Sequence, residues 1–289
     1  MPVAHVNGID INYSTHGDQA DPALLLVMGL GAQMTAWPDE FIDLLVSHGY
    51  FVVRYDNRDC GLSSKLEGLP DLAGLLGGDP SSAIYTIEDM ADDGVALLGQ
   101  LGIARAHVAG ASMGGMITQA MVIHHPEHFV TACSVMSTTG DRNVGQPTGE
   151  ALAALLRPPA TSREEAIQGS IMASGVIGSP GYPTDPAIVA ARAGEAYDRC
   201  YSPEGSARQL AAILGSPDRT EGLHHVQIPF LVIHGEADPL VQISGGEATA
   251  AAVPNSVFVT IPGMGHDLPA ALYGQIADAI VANAQLATV

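Results

Sequence analysis

Short, continuous runs of apolar residues recur along this chain, and they are the feature that most limits its fold. A strand that is apolar on both faces is what a parallel sheet covered by helices on both sides requires. Between these runs lie segments whose apolar residues recur at the spacing of a helix. The runs cover residues 23–28, 50–55, 106–109, 129–136, 229–233 and 256–261, and the helical patterns cover 38–46, 87–101, 114–124 and 276–286. This alternation predicts an α/β fold with a mostly parallel central sheet flanked by helices.

Local turn and capping signals define the edges of several elements. Asn7-Gly8 lies between residues 3–6 and 9–13 and predicts a hairpin with a type I′ turn, because both central residues of that turn need a positive φ. Thr86, followed three residues later by Asp89, predicts a variant capping box at the start of a helix.

The alternation stops between about residues 138 and 225, where no strong strand run occurs. Three helix starts are predicted instead: Thr161 with Glu164 as a capping box, and the pairs Asp185-Pro186 and Ser202-Pro203. We therefore expect a helical cap insertion at 138–225, lying over the carboxyl edge of the sheet. The core would then consist of residues 1–137 and 226–289.

The charge balance limits the partners of this chain. Lys and Arg number 11 against 31 Asp and Glu, a net charge of −20. Because nucleic acids and anionic membranes attract basic side chains, neither is an expected partner. The cysteines, at 60, 133 and 200, are too widely spaced for a disulfide framework or a structural zinc site.

The N-terminal residues do not resemble a signal peptide, and the run 23–28 is far shorter than the ~20 residues that span a bilayer. A soluble, cytoplasmic protein is expected, and the sequence carries no signal for an oligomeric state.

The segment Gly110-Ala111-Ser112-Met113-Gly114 follows one predicted strand and precedes a predicted helix. In this context the pattern G-x-S-x-G predicts a sharp turn that exposes a serine hydroxyl above the sheet. The N-terminus of the following helix favours negative charge that develops beside it. We therefore predict that Ser112 is a catalytic nucleophile.

A serine hydroxyl needs a base to take its proton, and the base needs an acid that orients it. On this kind of sheet both residues follow the serine along the chain, the acid first and the base second. His266 follows the last predicted strand and is the predicted base. Asp238 follows the preceding strand and is the predicted acid, with Glu236 and Asp141 as alternatives. His234 precedes Asp238, the wrong order for a base, and is interpreted as a residue of the site wall.

Two backbone N–H groups are needed to bind the oxyanion that forms during attack. We predict that Met113, directly after the nucleophile, supplies one and that Leu30, in the glycine-containing turn 28–31, supplies the other. Farther along, Asp56 and Arg58 are predicted to form an internal ion pair that braces the loop after the strand 50–55.

Taken in order, these segments resemble the α/β-hydrolase superfamily over nearly the whole chain. The likeness is carried by 28–31, 56–63, 110–115, 235–239 and 263–266. Within the superfamily the chain is most similar to aclacinomycin methylesterase-like hydrolases, through 24–29, 37–41, 54–56, 58–59 and 261–266. Met28 replaces a histidine that is common before the oxyanion glycine, and Asp59 stands where glycine is usual. The segment 138–225 carries no part of this likeness.

The resemblance implies the α/β-hydrolase fold and a serine esterase that cleaves a small-molecule carboxylic ester through an acyl-enzyme, with no cofactor or metal. The same three side chains also serve C–C bond hydrolases and perhydrolases, which remain alternatives, as does a non-catalytic ligand-binding protein. Epoxide hydrolases and dehalogenases of this fold attack through an aspartate, and Ser112 occupies that position here.

Overall fold

A central sheet of eight strands organises the computed structural model, which describes residues 2–71, 74–75 and 79–287. The strand order is β1-β2-β4-β3-β5-β6-β7-β8. The strands are β1 (Val3–Val6), β2 (Ile9–His16), β3 (Ala23–Val27), β4 (Phe51–Tyr55), β5 (Ala106–Ala111), β6 (Phe129–Val135), β7 (Phe230–Gly235) and β8 (Val257–Ile261). From β4 to β8 all neighbouring strands pair in parallel, whereas β2 pairs antiparallel with β1 and β4. The prediction of an α/β fold is confirmed.

Helices cover both faces of this sheet. They are α1 (Asp39–Ser47), α2 (Ile87–Gln100), α3 (Met113–His124), α4 (Gly149–Leu155), α5 (Arg163–Ile177), α6 (Pro186–Arg199), α7 (Pro203–Gly215), α8 (Thr220–Leu223), α9 (Ser244–Ala252) and α10 (Tyr273–Ala284). In β3, Leu25 and Val27 pack towards α2 and α3, while Leu24 and Leu26 pack towards α1 and α10. Burial on both faces is the physical reason for the continuous apolar runs.

The N-terminal hairpin has the predicted turn. Asn7 has φ 53° and Gly8 has φ 77°, and Val6 pairs with Ile9 across the turn. The capping box of α2 is also confirmed, since the Thr86 side chain accepts from the Asp89 N–H and the Asp89 carboxylate accepts from the Thr86 N–H.

Helices α4 to α8 all lie between β6 and β7, where the sequence lacks strand runs. Asp185 caps α6 as predicted, by accepting a hydrogen bond from the N–H of Ala187 at 2.8 Å.

The other two predicted helix starts differ in detail. The predicted box of Thr161 and Glu164 is wrong by one residue, because Ser162 is the N-cap of α5 and accepts from the N–H of Glu165. Ser202 precedes α7 as expected, but its hydroxyl caps no helix N–H.

The predicted ion pair between Asp56 and Arg58 is wrong. The Arg58 guanidinium contacts Asp93 of α2, with Nε 2.7 Å from Oδ2. The Asp56 carboxylate is fully buried and lies 2.6 Å from Nη2 of Arg199, in α6. One Asp56 oxygen also accepts from the N–H of Met34 at 2.8 Å, so the carboxylate is turned away from Arg58.

A second buried ion pair links the same loop to α7. One edge of the Arg208 guanidinium meets the carboxylate of Asp59, with Nε 2.9 Å from Oδ2 and Nη2 2.8 Å from Oδ1. Asp59 is 1% exposed and Arg208 is 2% exposed. Asp59 also has φ 69°, in the left-handed region where glycine is favoured. The aspartate at this unusual position therefore attaches helix α7 to the sheet.

Replacing Arg208 by methionine is expected to lower the free energy of unfolding by ~3–5 kcal/mol, because it leaves the buried Asp59 charge uncompensated. The matched control is Arg163→Met. Arg163 and Asp198 form a surface pair with side chains 51% and 56% exposed. Loss of such a pair costs at most ~1 kcal/mol. Urea unfolding of both variants measures the difference, and equal losses would contradict this account of Asp59.

Within the described residues, no helix combines the length and hydropathy that crossing a membrane requires.

Candidate active site

A sharp turn between β5 and α3 presents Ser112. This residue has φ 57° and ψ −120°, a strained conformation for a non-glycine residue. A Cβ at Gly110 would lie 2.0 Å from the carbonyl oxygen of Gly114, and one at Gly114 would lie 2.1 Å from that of Val27. The glycines of the G-x-S-x-G pattern are therefore required by close packing of backbone, which holds the serine at the carboxyl edge of the sheet.

The structure brings together the three side chains that were predicted to form a triad. Ser112 Oγ lies 3.0 Å from Nε2 of His266. Nδ1 of the same ring lies 2.7 Å from Oδ2 of Asp238. The other Asp238 oxygen accepts from the N–H groups of Leu240 and Val241, both at 2.9 Å. This arrangement can pass the serine proton to the imidazole while the carboxylate holds the ring in place.

The alternative acids are engaged elsewhere. Glu236 is exposed and accepts a hydrogen bond from Thr260 Oγ1 at 2.9 Å. Asp141 accepts from the N–H and the side-chain amide of Asn143, at 2.9 and 2.8 Å. Asp238 is the carboxylate that contacts His266, so the geometry favours it over both alternatives.

His234 is fully buried behind the acid instead of lying in a site wall, which corrects the interpretation from sequence. Its Nε2 lies 2.8 Å from the carbonyl oxygen of Val241 and 3.7 Å from Oδ2 of Asp238. Because its Nε2 faces a carbonyl acceptor, that nitrogen carries the proton in the neutral ring. Burial lowers the pKa of His234 below its usual 6.5, against smaller raising effects from Val241 and Asp238.

This histidine is expected to make the protein less stable in acid. As the pH falls below ~6.5, the unfolded chain binds a proton that folded His234 does not, so the free energy of unfolding decreases by up to ~1.4 kcal/mol per pH unit. His234→Gln keeps a donor for Val241 and removes the titrating group. Urea unfolding between pH 7 and pH 5 should give a shallower slope for the variant than for the unsubstituted protein. Parallel slopes would show that His234 does not contribute.

The turn after β3 packs directly against the serine. A Cβ at Gly29 would lie 3.1 Å from both Ser112 Cβ and the carbonyl oxygen of Ala111. In the part of the chain that the structure describes, the N–H groups of Leu30 and Met113 donate to no acceptor. The neighbouring Gly31 N–H is occupied, since it donates to Oε1 of Gln209 at 2.7 Å. Of the two turn amides, Leu30 is therefore the one that is free to bind an oxyanion.

The loop that carries His266 is held by residues at the end of α5. The His266 N–H donates to the carbonyl of Ile177 at 2.7 Å, and the Gly265 N–H donates to Ser179 Oγ at 2.8 Å. The Ser179 hydroxyl in turn donates to Asp267. Burial raises the pKa of the Asp267 carboxyl. Sequence reasoning missed these contacts, as it missed Gln209, because no motif marks any of these residues.

A cavity of about 1190 Å³ opens onto Ser112 and His266. Much of its wall is apolar and comes from helices α4 to α7, through residues that include Leu155, Ile177, Val189, Leu210 and Leu214. Met28 also lines the cavity.

Among apolar residues of α5, Ile177 lines this cavity, whereas Met172 is 53% exposed on the outer surface. Of these two side chains of α5, Ile177 is therefore the one placed to contact a molecule bound in the cavity.

Comparison with known proteins agrees with this architecture. Rhodomycin D methylesterase DnrP of Streptomyces peucetius is 28% identical, over 94% of this chain and 94% of its own. The 3-oxoadipate enol-lactonase 2 of Acinetobacter baylyi is 29% identical, over 86% of this chain and 85% of its own.

Two solved structures share the fold. The enol-lactonase from Burkholderia xenovorans LB400 has a TM-score of 0.77 at 21% identity, with 98% of this chain and 100% of that chain covered. The meta-cleavage product hydrolase CumD from Pseudomonas fluorescens IP01 has a TM-score of 0.75 at 18% identity, with 98% and 97% covered. Residues 24–279, which include strands β4 to β8 and all of β3 except its first residue, match the family described as the alpha/beta hydrolase family. This chain is therefore a member of the alpha/beta hydrolase family.

Proposed function

We propose that this chain hydrolyses carboxylic esters, with Ser112 as nucleophile, His266 as general base and Asp238 as the acid that orients the imidazole. The observation that carries this proposal is the continuous line of hydrogen bonds from Ser112 Oγ through His266 to Asp238. Similarity to methylesterases over 94% of the chain supports an ester as the substrate.

The reaction proceeds in two halves. His266 takes the proton of Ser112 as Oγ attacks the ester carbonyl, and the N–H groups of Leu30 and Met113 bind the oxyanion. His266 then protonates the leaving alcohol, which leaves an acyl group on the serine. Water, deprotonated by the same imidazole, releases the acid and restores the enzyme. Every step uses groups of the chain and water, so no cofactor is required.

The helical segment 138–225 is proposed to be a cap insertion that shapes the binding cavity, on a core made of 1–137 and 226–289. Helices α4 to α8 follow one another between β6 and β7, and several of them contribute apolar side chains to the cavity wall. Ligands of open α/β sheets bind at the carboxyl ends of the strands, which is where this wall stands.

The size and lining of the cavity favour a substrate with a bulky, largely apolar acyl part. Small-molecule sites of about 300–1,000 Å³ hold drug-sized ligands, and the volume here, about 1190 Å³, exceeds that range. The relatives of this chain named methylesterases favour a methyl ester, with methanol as the leaving alcohol. We therefore propose a small-molecule methyl ester of a large apolar acid as the substrate class.

A panel of methyl esters of increasing acyl size tests this proposal. We expect kcat/KM to rise from the acetate to polycyclic aromatic acids, because larger acyl groups bury more apolar surface in the cavity. Ile177→Ala should change the ratio of rates between large and small esters by about 5–30-fold, as expected for removal of ~1–2 kcal/mol of apolar contact. Met172→Ala, on the exposed side of the same helix, is the matched control. An equal loss on every ester would contradict the assigned role of the cavity.

A further inference from the structure

Helix α7 is hydrogen-bonded to the turn that carries the proposed oxyanion donor through the buried side chain of Gln209. Its Oε1 accepts from the Gly31 N–H at 2.7 Å, and its Nε2 donates to the carbonyl of Arg58 at 2.8 Å. The residue is 0% exposed, so both hydrogen bonds are shielded from water. Gln209 thus joins the turn after β3 to the loop after β4.

The helix that carries Gln209 is itself fixed against the core. The adjacent Arg208 forms the buried bidentate pair with Asp59. One turn earlier, a Cβ at Gly205 would lie 2.1 Å from the carbonyl oxygen of Asp59, so the helix backbone approaches this loop closely. The amide of Gln209 is therefore presented from a fixed support, and the position of the Gly31 N–H follows from it.

We propose that Gln209 is a positioning residue for ester hydrolysis, which holds the turn 29–31 so that the Leu30 N–H points at the developing oxyanion. This inference rests on the proposed function. Gly31 has φ 65° and glycine flanks Leu30 on both sides, so side chains within the turn restrict its backbone little. The turn also holds itself through a hydrogen bond of 3.2 Å from the Ala32 N–H to the Gly29 carbonyl, which is longer than the 2.7 Å bond to Gln209. The hydrogen bond from Gly31 to Gln209 fixes the peptide group that follows Leu30 and thereby limits the orientation of the peptide group before it.

Gln209 also acts without touching the substrate. Leu210 lines the cavity, whereas Gln209 is absent from the cavity wall in the described part of the chain. Donors that are already aligned stabilise the transition state without reorganising during the reaction. Loss of this alignment is therefore expected to affect the chemical step more than substrate binding.

The test is Gln209→Met, which conserves approximate length and removes both hydrogen bonds. We expect kcat to fall by ~10–100-fold, less than the 10²–10³ that removal of an oxyanion donor costs, with KM changed by less than ~3-fold. Affinity for a trifluoromethyl ketone analogue, which forms an oxyanion on Ser112, should fall by a similar factor. Affinity for the corresponding non-reactive amide should be unchanged.

Ser206→Ala is the matched control, because Ser206 lies on the same helix beside Gly31. Among the described residues, its hydroxyl donates only to the carbonyl of Ser202, which directly precedes this helix. Its kcat should stay within ~2-fold of the unsubstituted enzyme, as expected when no donor to the transition state is disturbed. The positioning role is wrong if kcat of Gln209→Met stays as high as that of Ser206→Ala. It is also wrong if Gln209→Met loses affinity for the ketone and for the amide by the same factor.

A second variant keeps the proposal testable if Gln209→Met folds poorly. Gln209→Glu retains an acceptor for the Gly31 N–H, so its affinity for the ketone should stay close to that of the unsubstituted protein. A loss of ketone affinity in folded Gln209→Glu as large as that expected for Gln209→Met would overturn the proposal. The proposed function has its own test. If the unsubstituted protein hydrolyses no ester and does not react with the ketone, ester hydrolysis is wrong, and the positioning role is wrong as well. If the unsubstituted protein does both, only the comparison of variants decides the role of Gln209.

Discussion

Replacing Ser112 by alanine is expected to leave a folded protein whose ester hydrolysis has fallen by at least about a thousand-fold, because loss of a triad member removes the covalent route. The hydroxyl lies 3.0 Å from the His266 ring and is the attacking group of the proposed mechanism. Alanine keeps the Cβ, so the strained turn is not altered sterically. Steady-state rates on an activated aryl ester, together with thermal unfolding, measure the two parts of this expectation.

Ser137→Ala is the matched control for this variant. Ser137 is buried, lies just beyond the end of β6, and its hydroxyl has no hydrogen-bond partner in the described chain. Its removal should change the rate by no more than ~3-fold, in the range of ordinary substitutions away from a site. A fluorophosphonate should label the unsubstituted protein and not Ser112→Ala. An unlabelled, inactive but folded protein would instead support the non-catalytic ligand-binding alternative.

Asp238→Asn is expected to reduce kcat by roughly 10⁴-fold while the fold is kept, as in triads whose histidine is left in the wrong tautomer. An asparagine oxygen can still accept from the N–H groups of Leu240 and Val241, so the loop conformation should persist. The side-chain amide would then face Nδ1 of His266 and force that nitrogen to act as an acceptor. Nε2 would carry the proton and could no longer accept one from the serine.

Two acids serve as controls for the assignment of Asp238. Glu236 lies on the same loop but is exposed, so Glu236→Gln should change kcat by less than ~2-fold. The Asp141 carboxylate caps a local turn, so Asp141→Asn should change kcat by less than ~10-fold. Comparison of kcat among the three variants decides the assignment. If Asp141→Asn were the most impaired, the acid would be the residue after β6, not the one after β7.

The sites of the proposed catalytic side chains could be predicted because they depend on local features. The glycines at 110 and 114 are required by contacts within one strand–turn–helix unit and with the neighbouring strand. Asp238 and His266 each follow a strand of the sheet, and parallel strands bring their carboxyl ends to one edge. Once the order of strands is predicted, the convergence of these residues follows from the topology.

The sequence by itself determined the class of fold, because apolar runs of strand length specify burial on both faces of a parallel sheet. It also determined the hairpin turn, the capping box of α2 and the positions of the candidate triad. Only the tertiary structure decided the partners of Asp56, Asp59 and Gln209. Each of these contacts joins the helical segment to a loop of the core, so it forms only when that segment folds over the sheet. Arg208 is 149 residues from Asp59 in sequence, and Gln209 is 178 residues from Gly31. No local pattern encodes such a pair, because any arginine or glutamine of the segment has the same hydrogen-bonding groups, and only packing selects which one reaches the loop.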